Sequence, residues 1–173
     1  MSVTDEALRA NQRYSSEFNL GQLAMPPVRK VAIVACMDAR LTIEPMLGLK
    51  TGDAHIIRNA GGIVTEDAVR SLIISQQLLG TEEVIIINHT DCGMLTFSDE
   101  ALRSRLAKST GKLAVVPARF YSFTDLEHNV REQIQKVRTH PWIPQQISVR
   151  GFIYDVKSGR LNEVSAVEAR RAA

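Results

Sequence analysis

Residues 31–36, VAIVAC, are six small or β-branched apolar residues in a row, and residues 84–87, VIII, repeat the pattern. Neither run alternates with polar residues. Such runs predict strands covered on both faces, as in a parallel sheet. AHIIR at 54–58 predicts a shorter strand, and 147–156 with 160–164, joined by KSG, predict a hairpin. KLAVVPA at 112–118 is a possible further short strand.

Helical spacing fills the intervals. Val3, Ala7, Ala10, Tyr14 and Phe18 recur at three and four residues, with Thr4 as the expected cap. The linker GQLAMPP cuts this helix off, so it either lies on a partner subunit or folds back on its own chain. Residues 65–80 open on Thr65 and acids and end at Gly80; residues 98–111 open on Ser98. In 124–141, Thr124 with Glu127 forms the signature of a capping box, and Pro141 closes the helix. Residues 41–53 allow one helical turn. Strands alternating with helices predict an α/β fold: a mostly parallel central sheet of four strands, an antiparallel edge hairpin, and helices on both faces. A single domain is expected over 1–173, with 1–27 as an N-terminal helical arm and linker and 165–173 as an exposed tail.

Composition narrows the function classes. The 173 residues carry 21 Lys and Arg against 19 Asp and Glu, a net charge of +2, and no basic stripe interleaved with aromatics. Nucleic acid is therefore not an expected partner. No apolar run approaches 18 residues, so no membrane span is expected. The first residues lack the apolar core of a secretory signal, and a soluble, cytoplasmic protein is the reading. Of the two cysteines, Cys36 and Cys92, neither is expected in a structural disulfide in a reducing compartment.

The chemistry gathers where two buried strands end. VAIVAC runs straight into MDAR, and VIIIN into HTDCG, so Cys36, His89 and Cys92 follow strand ends. In open α/β sheets, ligands collect beyond the carboxyl ends of the strands. Two thiolates and one imidazole make a zinc set, and three protein ligands leave a fourth position open, the mark of a catalytic site. In extended backbone Cys36, Asp38 and Arg40 share one side. A carboxylate there would accept a hydrogen bond from the metal's water, and a guanidinium would keep it ionised. Other readings stand beside this one. Asp38 and Arg40 are a plain ion pair; Asp38 closes the fourth zinc position; or the cysteines are a redox pair, although no C-x-x-C is present. Asp91 reads as a turn residue. Of the remaining histidines only His55 qualifies as a proton relay; His128 and His140 read as packed or solvated. The loop RNAGG, 58–62, places Ala60, Gly61 and Gly62 where backbone approaches a ligand closely. No G-x-G-x-x-G, P-loop or G-x-S-x-G sequence is present.

CMDAR, RNAGG and HTDCG, in this order and at these separations, resemble the β-class carbonic anhydrases, in particular the short prokaryotic-type branch. The likeness spans roughly residues 28–156. It implies Zn²⁺ on Cys36, His89 and Cys92, with an Asp38–Arg40 dyad beside the metal water and Gly61 and Gly62 lining the cleft. It implies zinc-bound hydroxide attacking carbon dioxide in an apolar pocket to give bicarbonate and a proton. It also implies a homodimer or homotetramer in which the N-terminal helix lies on the partner. Two departures are visible. A substrate-binding glutamine ahead of the first strand in the plant-like branch is replaced by AMPP. The tryptophan of members with a bicarbonate-sensitive closed site is Ile33, which favours an open site. Relatives using the same zinc set hydrolyse carbonyl sulfide or carbon disulfide, which makes such hydrolysis the alternative activity. Two non-enzymatic or redox readings compete: a structural zinc closed by Asp38, and a metal-free thiol pair.

Overall fold

The computed structural model describes residues 2–166. Five strands form one sheet: β1 (Val31–Cys36), β2 (Ala54–Asn59), β3 (Glu83–His89), β4 (Ser148–Tyr154) and β5 (Leu161–Val164), in the order β2-β1-β3-β4-β5. The first four run parallel and β5 pairs antiparallel with β4. This is the expected sheet with its edge hairpin. Cys36 lies opposite Asn59, Ala35 opposite Ile87 and His89 opposite Tyr154, so the strand ends bearing the candidate site line up at one sheet edge.

All six residues of β1 are buried. Alternation divides them between two cores, because successive side chains leave opposite faces. Ala32 and Val34 join Val84, Ile86 and Val149 beneath α3 (Glu66–Gln77) and α5 (Leu126–Arg138). Val31, Ile33 and Ala35 join Ile87, Leu41 and Ile43 on the other face, where the one-turn α2 (Ile43–Leu47) lies. Gly151 on β4 admits α5 closely: a Cβ there would run into Val130 Cγ1 and Ile134 Cδ1.

Thr65 and Ser98 cap α3 and α4 (Asp99–Thr110) as expected. Two other caps differ. Ser2, not Thr4, caps α1 (Val3–Ser16), and it forms a capping box with Asp5. Asp125, not Thr124, caps α5 by accepting from the His128 N–H, because the chain's path puts Asp125 at the position before the first helical turn. Residues 112–118 form no strand. They are an irregular loop braced from outside: Arg103 donates to the carbonyls of Ala114, Pro117 and Ala118, and Pro117 has no N–H for a ladder. Asp99 gathers the end of this segment, accepting from the N–H groups of Phe120, Tyr121 and Ser122. No residue of α1 is buried. Of the expected tail 165–173, residues 167–173 lie outside the described residues.

Candidate metal centre

β1 ends at Cys36, and the chain then turns rather than continuing extended. Leu41 N donates to Asp38 O, and Arg40 N to Asp38 Oδ1 at 2.9 Å, so the Asp38 side chain closes its own turn. The expected alternation of Cys36, Asp38 and Arg40 on one extended strand is therefore not what brings them together. Arg40 folds back on Asp38 instead, with Nε to Oδ1 at 2.9 Å and Nη2 to Oδ2 at 2.8 Å. Its Nη1 reaches Asp91 Oδ2 at 2.8 Å. Asp91 sits in the turn between His89 and Cys92 with φ 57°, a left-handed value that Asp tolerates. The guanidinium therefore ties the loop after β1 to the loop after β3.

The ligand atoms of Cys36, His89 and Cys92 lie within 4.8 Å of one another, and all three residues are buried. His89 Nδ1 stands 2.8 Å from the Thr90 carbonyl. A carbonyl only accepts, so Nδ1 carries the proton and Nε2 presents a lone pair. That Nε2 is buried without a hydrogen-bond partner. The two thiols are free and adjacent. Hydrogen bonding from the Cys92 thiol, opposed by burial and aided by backbone N–H groups, pulls the Cys36 thiol well down. The same contact and burial push Cys92 up. One thiolate is thus favoured and a second beside it is opposed by like charge. An orphaned imidazole nitrogen and two thiols that ionise together only around a cation fit a soft divalent metal, zinc above all.

Asp38 Oδ2 stands 3.7 Å from His89 Nε2. The Arg40 hydrogen bonds hold its carboxyl far below the usual carboxylate range, and Asp38 raises Arg40 in return. Arg58 completes the surround: Nε and Nη2 donate to the Cys36 carbonyl, and Nη2 to the Asp38 carbonyl at 2.6 Å. In the sequence Arg58 reads only as the first residue of the loop RNAGG; a charged residue ending the apolar run AHIIR is the local signal, and its pairing opposite Ala35 is what brings it to the site. Ala60–Gly62 form a single tight turn against the two ligand strands. A Cβ on Gly61 would lie 3.0 Å from Met94 Cγ and 3.3 Å from Phe123 Cε1. His55 lies near the opposite end of the strands, in register with Ala32, and its Nδ1 bonds Ser75 Oγ at 2.7 Å. A buried Ser75–Thr81 pair continues that contact, so His55 is a structural partner and not a relay at the site.

The carbonic anhydrase family model matches residues 31–161. The β-carbonic anhydrase 1 of Mycobacterium tuberculosis is 48% identical over 165 residues, covering 95% of this chain and 99% of that protein. A carbon disulfide hydrolase of Acidithiobacillus thiooxidans is 34% identical over 158 residues, covering 81% of this chain and 79% of the other. The crystal structure of carbonic anhydrase from Streptococcus mutans superposes with a TM-score of 0.89 at 46% identity, covering 95% of this chain and 99% of that one. With the sheet order, the buried Cys–His–Cys group and these likenesses together, the chain belongs to the β-carbonic anhydrase family.

Proposed function

We propose that this protein catalyses the reversible hydration of carbon dioxide to bicarbonate and a proton, with Cys36, His89 and Cys92 holding one zinc ion. The observation that carries the reading is the buried trio beside a carboxylate, Asp38, whose two oxygens are both taken by Arg40. An Asp38 so engaged is held off a fourth ligand position, which favours an open catalytic centre over a closed structural one. When bound, the metal acidifies water and supplies a nucleophile at neutral pH.

The chain's own groups do the rest. Two thiolates balance the charge of a divalent ion. His89 is fixed in the ligating tautomer by Thr90. Asp38, kept ionised by Arg40, accepts a hydrogen bond from the attacking water at Oδ2 and orients it toward the substrate carbon. Carbon dioxide is small and uncharged, so it asks for a close apolar wall and not a charged cradle. The Ala60–Gly62 turn, with Met94 and Phe123 against Gly61, supplies that wall. The product proton passes to buffer. Carbon disulfide and carbonyl sulfide are linear heterocumulenes open to the same attack. Hydrolysis of these is the second reading, favoured by the 34% identity to a carbon disulfide hydrolase. Hydration measured on zinc-replete protein against Cys92→Ala tests the first reading, and sulfide release measured in parallel tests the second.

The same reading makes the protein a homo-oligomer built on dimers, with α1 laid across a second copy. Val3 is 81% exposed and Tyr14 and Phe18 about half exposed, an apolar stripe that the described residues leave uncovered. Light scattering on the full chain should give at least twice the chain mass, reduced by Tyr14→Asp with Phe18→Asp; an unaltered monomer would remove this part of the reading. We place the protein in the cytoplasm, a reducing compartment that keeps Cys36 and Cys92 available to a metal. Among the described residues, no helix is long and apolar enough to cross a membrane.

A further inference from the structure

Three buried carboxamides connect α5 to the metal centre. Gln133 Nε2 donates to Asn129 Oδ1 at 2.9 Å, and Asn129 Nδ2 donates to Asn88 Oδ1 at 2.6 Å. Asn88 Nδ2 then donates to the carbonyls of Gly61 and Gly62, at 3.0 and 3.3 Å. At the far end Gln133 Oε1 accepts from the Val64 N–H at 2.9 Å and from Lys136 Nζ at 3.1 Å. Gln133 is 1%, Asn129 3% and Asn88 1% exposed.

The line has one polarity. Every amide nitrogen faces an oxygen, and turning any one side chain over would set nitrogen against nitrogen and oxygen against oxygen. A buried network of this kind is worth having only when every member is satisfied, and here the named members are. Apolar residues would fill the same volume without that risk, so the network calls for a role beyond packing.

Its two ends supply one. The Asn88 side chain leaves β3 toward α5 while the next residue, His89, is a metal ligand. Gly62, whose carbonyl Asn88 also holds, packs against the Cys36 backbone, and the Met37 N–H beside it donates to the Asn59 carbonyl at 2.8 Å. Val64, held by Gln133, closes the other side of the turn. The turn has little freedom of its own: a Cβ on Gly62 would stand 2.9 Å from the Cys36 nitrogen. We propose that Asn129 and Gln133 are positioning residues for the metal centre, acting through Asn88 to clamp the Ala60–Gly62 turn against the Cys36 backbone and so fix where the Cys36 side chain starts. Groups outside the ligand set fix a ligand's orientation and its hold on the metal, and losing one costs about 10–100-fold in metal affinity or activity. This inference rests on the reading of Cys36, His89 and Cys92 as zinc ligands.

The test uses the full chain loaded with zinc, and separately with cobalt. Zinc release to a chromophoric chelator and the cobalt–thiolate absorption band are recorded for the wild type, Asn129→Leu, Gln133→Met and the control Val137→Ala. Val137 lies on the same helix, fully buried in the apolar core. Each protein is measured at the same interval below its own melting temperature. The proposal expects about 10–100-fold faster release and a shifted thiolate band in both amide variants, with neither change in the control. Release that merely follows lost stability, as in Val137→Ala, or an unshifted band, overturns it. Should Asn129→Leu fail to fold, Asn129→Ser and Gln133→Met carry the comparison. A wild type that takes up no cobalt would sink the metal reading itself; a normal wild-type spectrum with unchanged variants would sink only the relay.

Discussion

Arg40 holds Asp38 by both carboxylate oxygens, at 2.9 and 2.8 Å, while its remaining terminal nitrogen holds Asp91 on the neighbouring loop. The fork geometry matters more than the charge, because a bidentate guanidinium fixes the plane of the carboxylate. Asp38→Asn keeps the size and loses both the charge and one acceptor. We expect kcat/KM for carbon dioxide to fall about 10–100-fold, with zinc content unchanged. The pair is partly exposed, so the melting temperature should barely move. Zinc analysis and thermal melts alongside the kinetics check this; full activity in the variant would return Asp38 and Arg40 to a plain ion pair.

Gly62 is the tightest point between the ligand strands. It has φ +62°, and a Cβ would meet Ile87 O at 2.8 Å and Cys36 N at 2.9 Å, both backbone atoms. Neither can swing away as a side-chain tip would. Gly62→Ala should cost about 1–3 kcal/mol for the backbone conformation alone, with the clash added to it. Chemical denaturation of the metal-free and zinc-loaded forms reads this out. Gly48→Ala is the comparison, because it shares a positive φ but has open space where the Cβ would go.

Asp99 gives a pH dependence with a definite sign. Burial raises its pKa, but the amides of Ser122, Phe120 and Tyr121 and the Ser122 hydroxyl outweigh it and bring the group to about 2 from 3.8. A carboxyl with a depressed folded pKa adds stability that is fully present above the unfolded value and lost as pH falls through the folded one. The stability gap between wild type and Asp99→Asn should therefore be constant from pH 7 to about 5 and narrow below 3.8 toward 2. Denaturation midpoints at pH 7, 5 and 3 measure the gap. A gap that widens in acid would contradict the assignment.

The sheet and the grouping of Cys36, His89 and Cys92 were legible because both depend on local signals. Uninterrupted apolar runs mark strands covered on both faces, and a parallel sheet aligns their carboxyl ends, so Cys36 and His89 had to meet. What the sequence hid was set by contacts between distant segments. The Asp38–Arg40 geometry comes from a turn, not from strand alternation. The apolar stretch at 112–118 reads as a strand, yet Arg103 on α4 braces it as a loop. Thr124 and Asp125 are both good caps, and only the chain's path decides between them. Asn88 did carry a signal: it is the one polar residue between VIII and His89, and a polar residue ending a buried run needs a partner. That the partner is Asn129, 41 residues away, no local pattern could say.

The most direct test of the account is stopped-flow hydration of carbon dioxide by the zinc-replete protein, with Cys92→Ala alongside and carbon disulfide and carbonyl sulfide hydrolysis assayed on the same preparation. The account predicts fast hydration that follows zinc content and disappears in Cys92→Ala. Sulfide release with negligible hydration would contradict it and make the protein a heterocumulene hydrolase on the same metal centre.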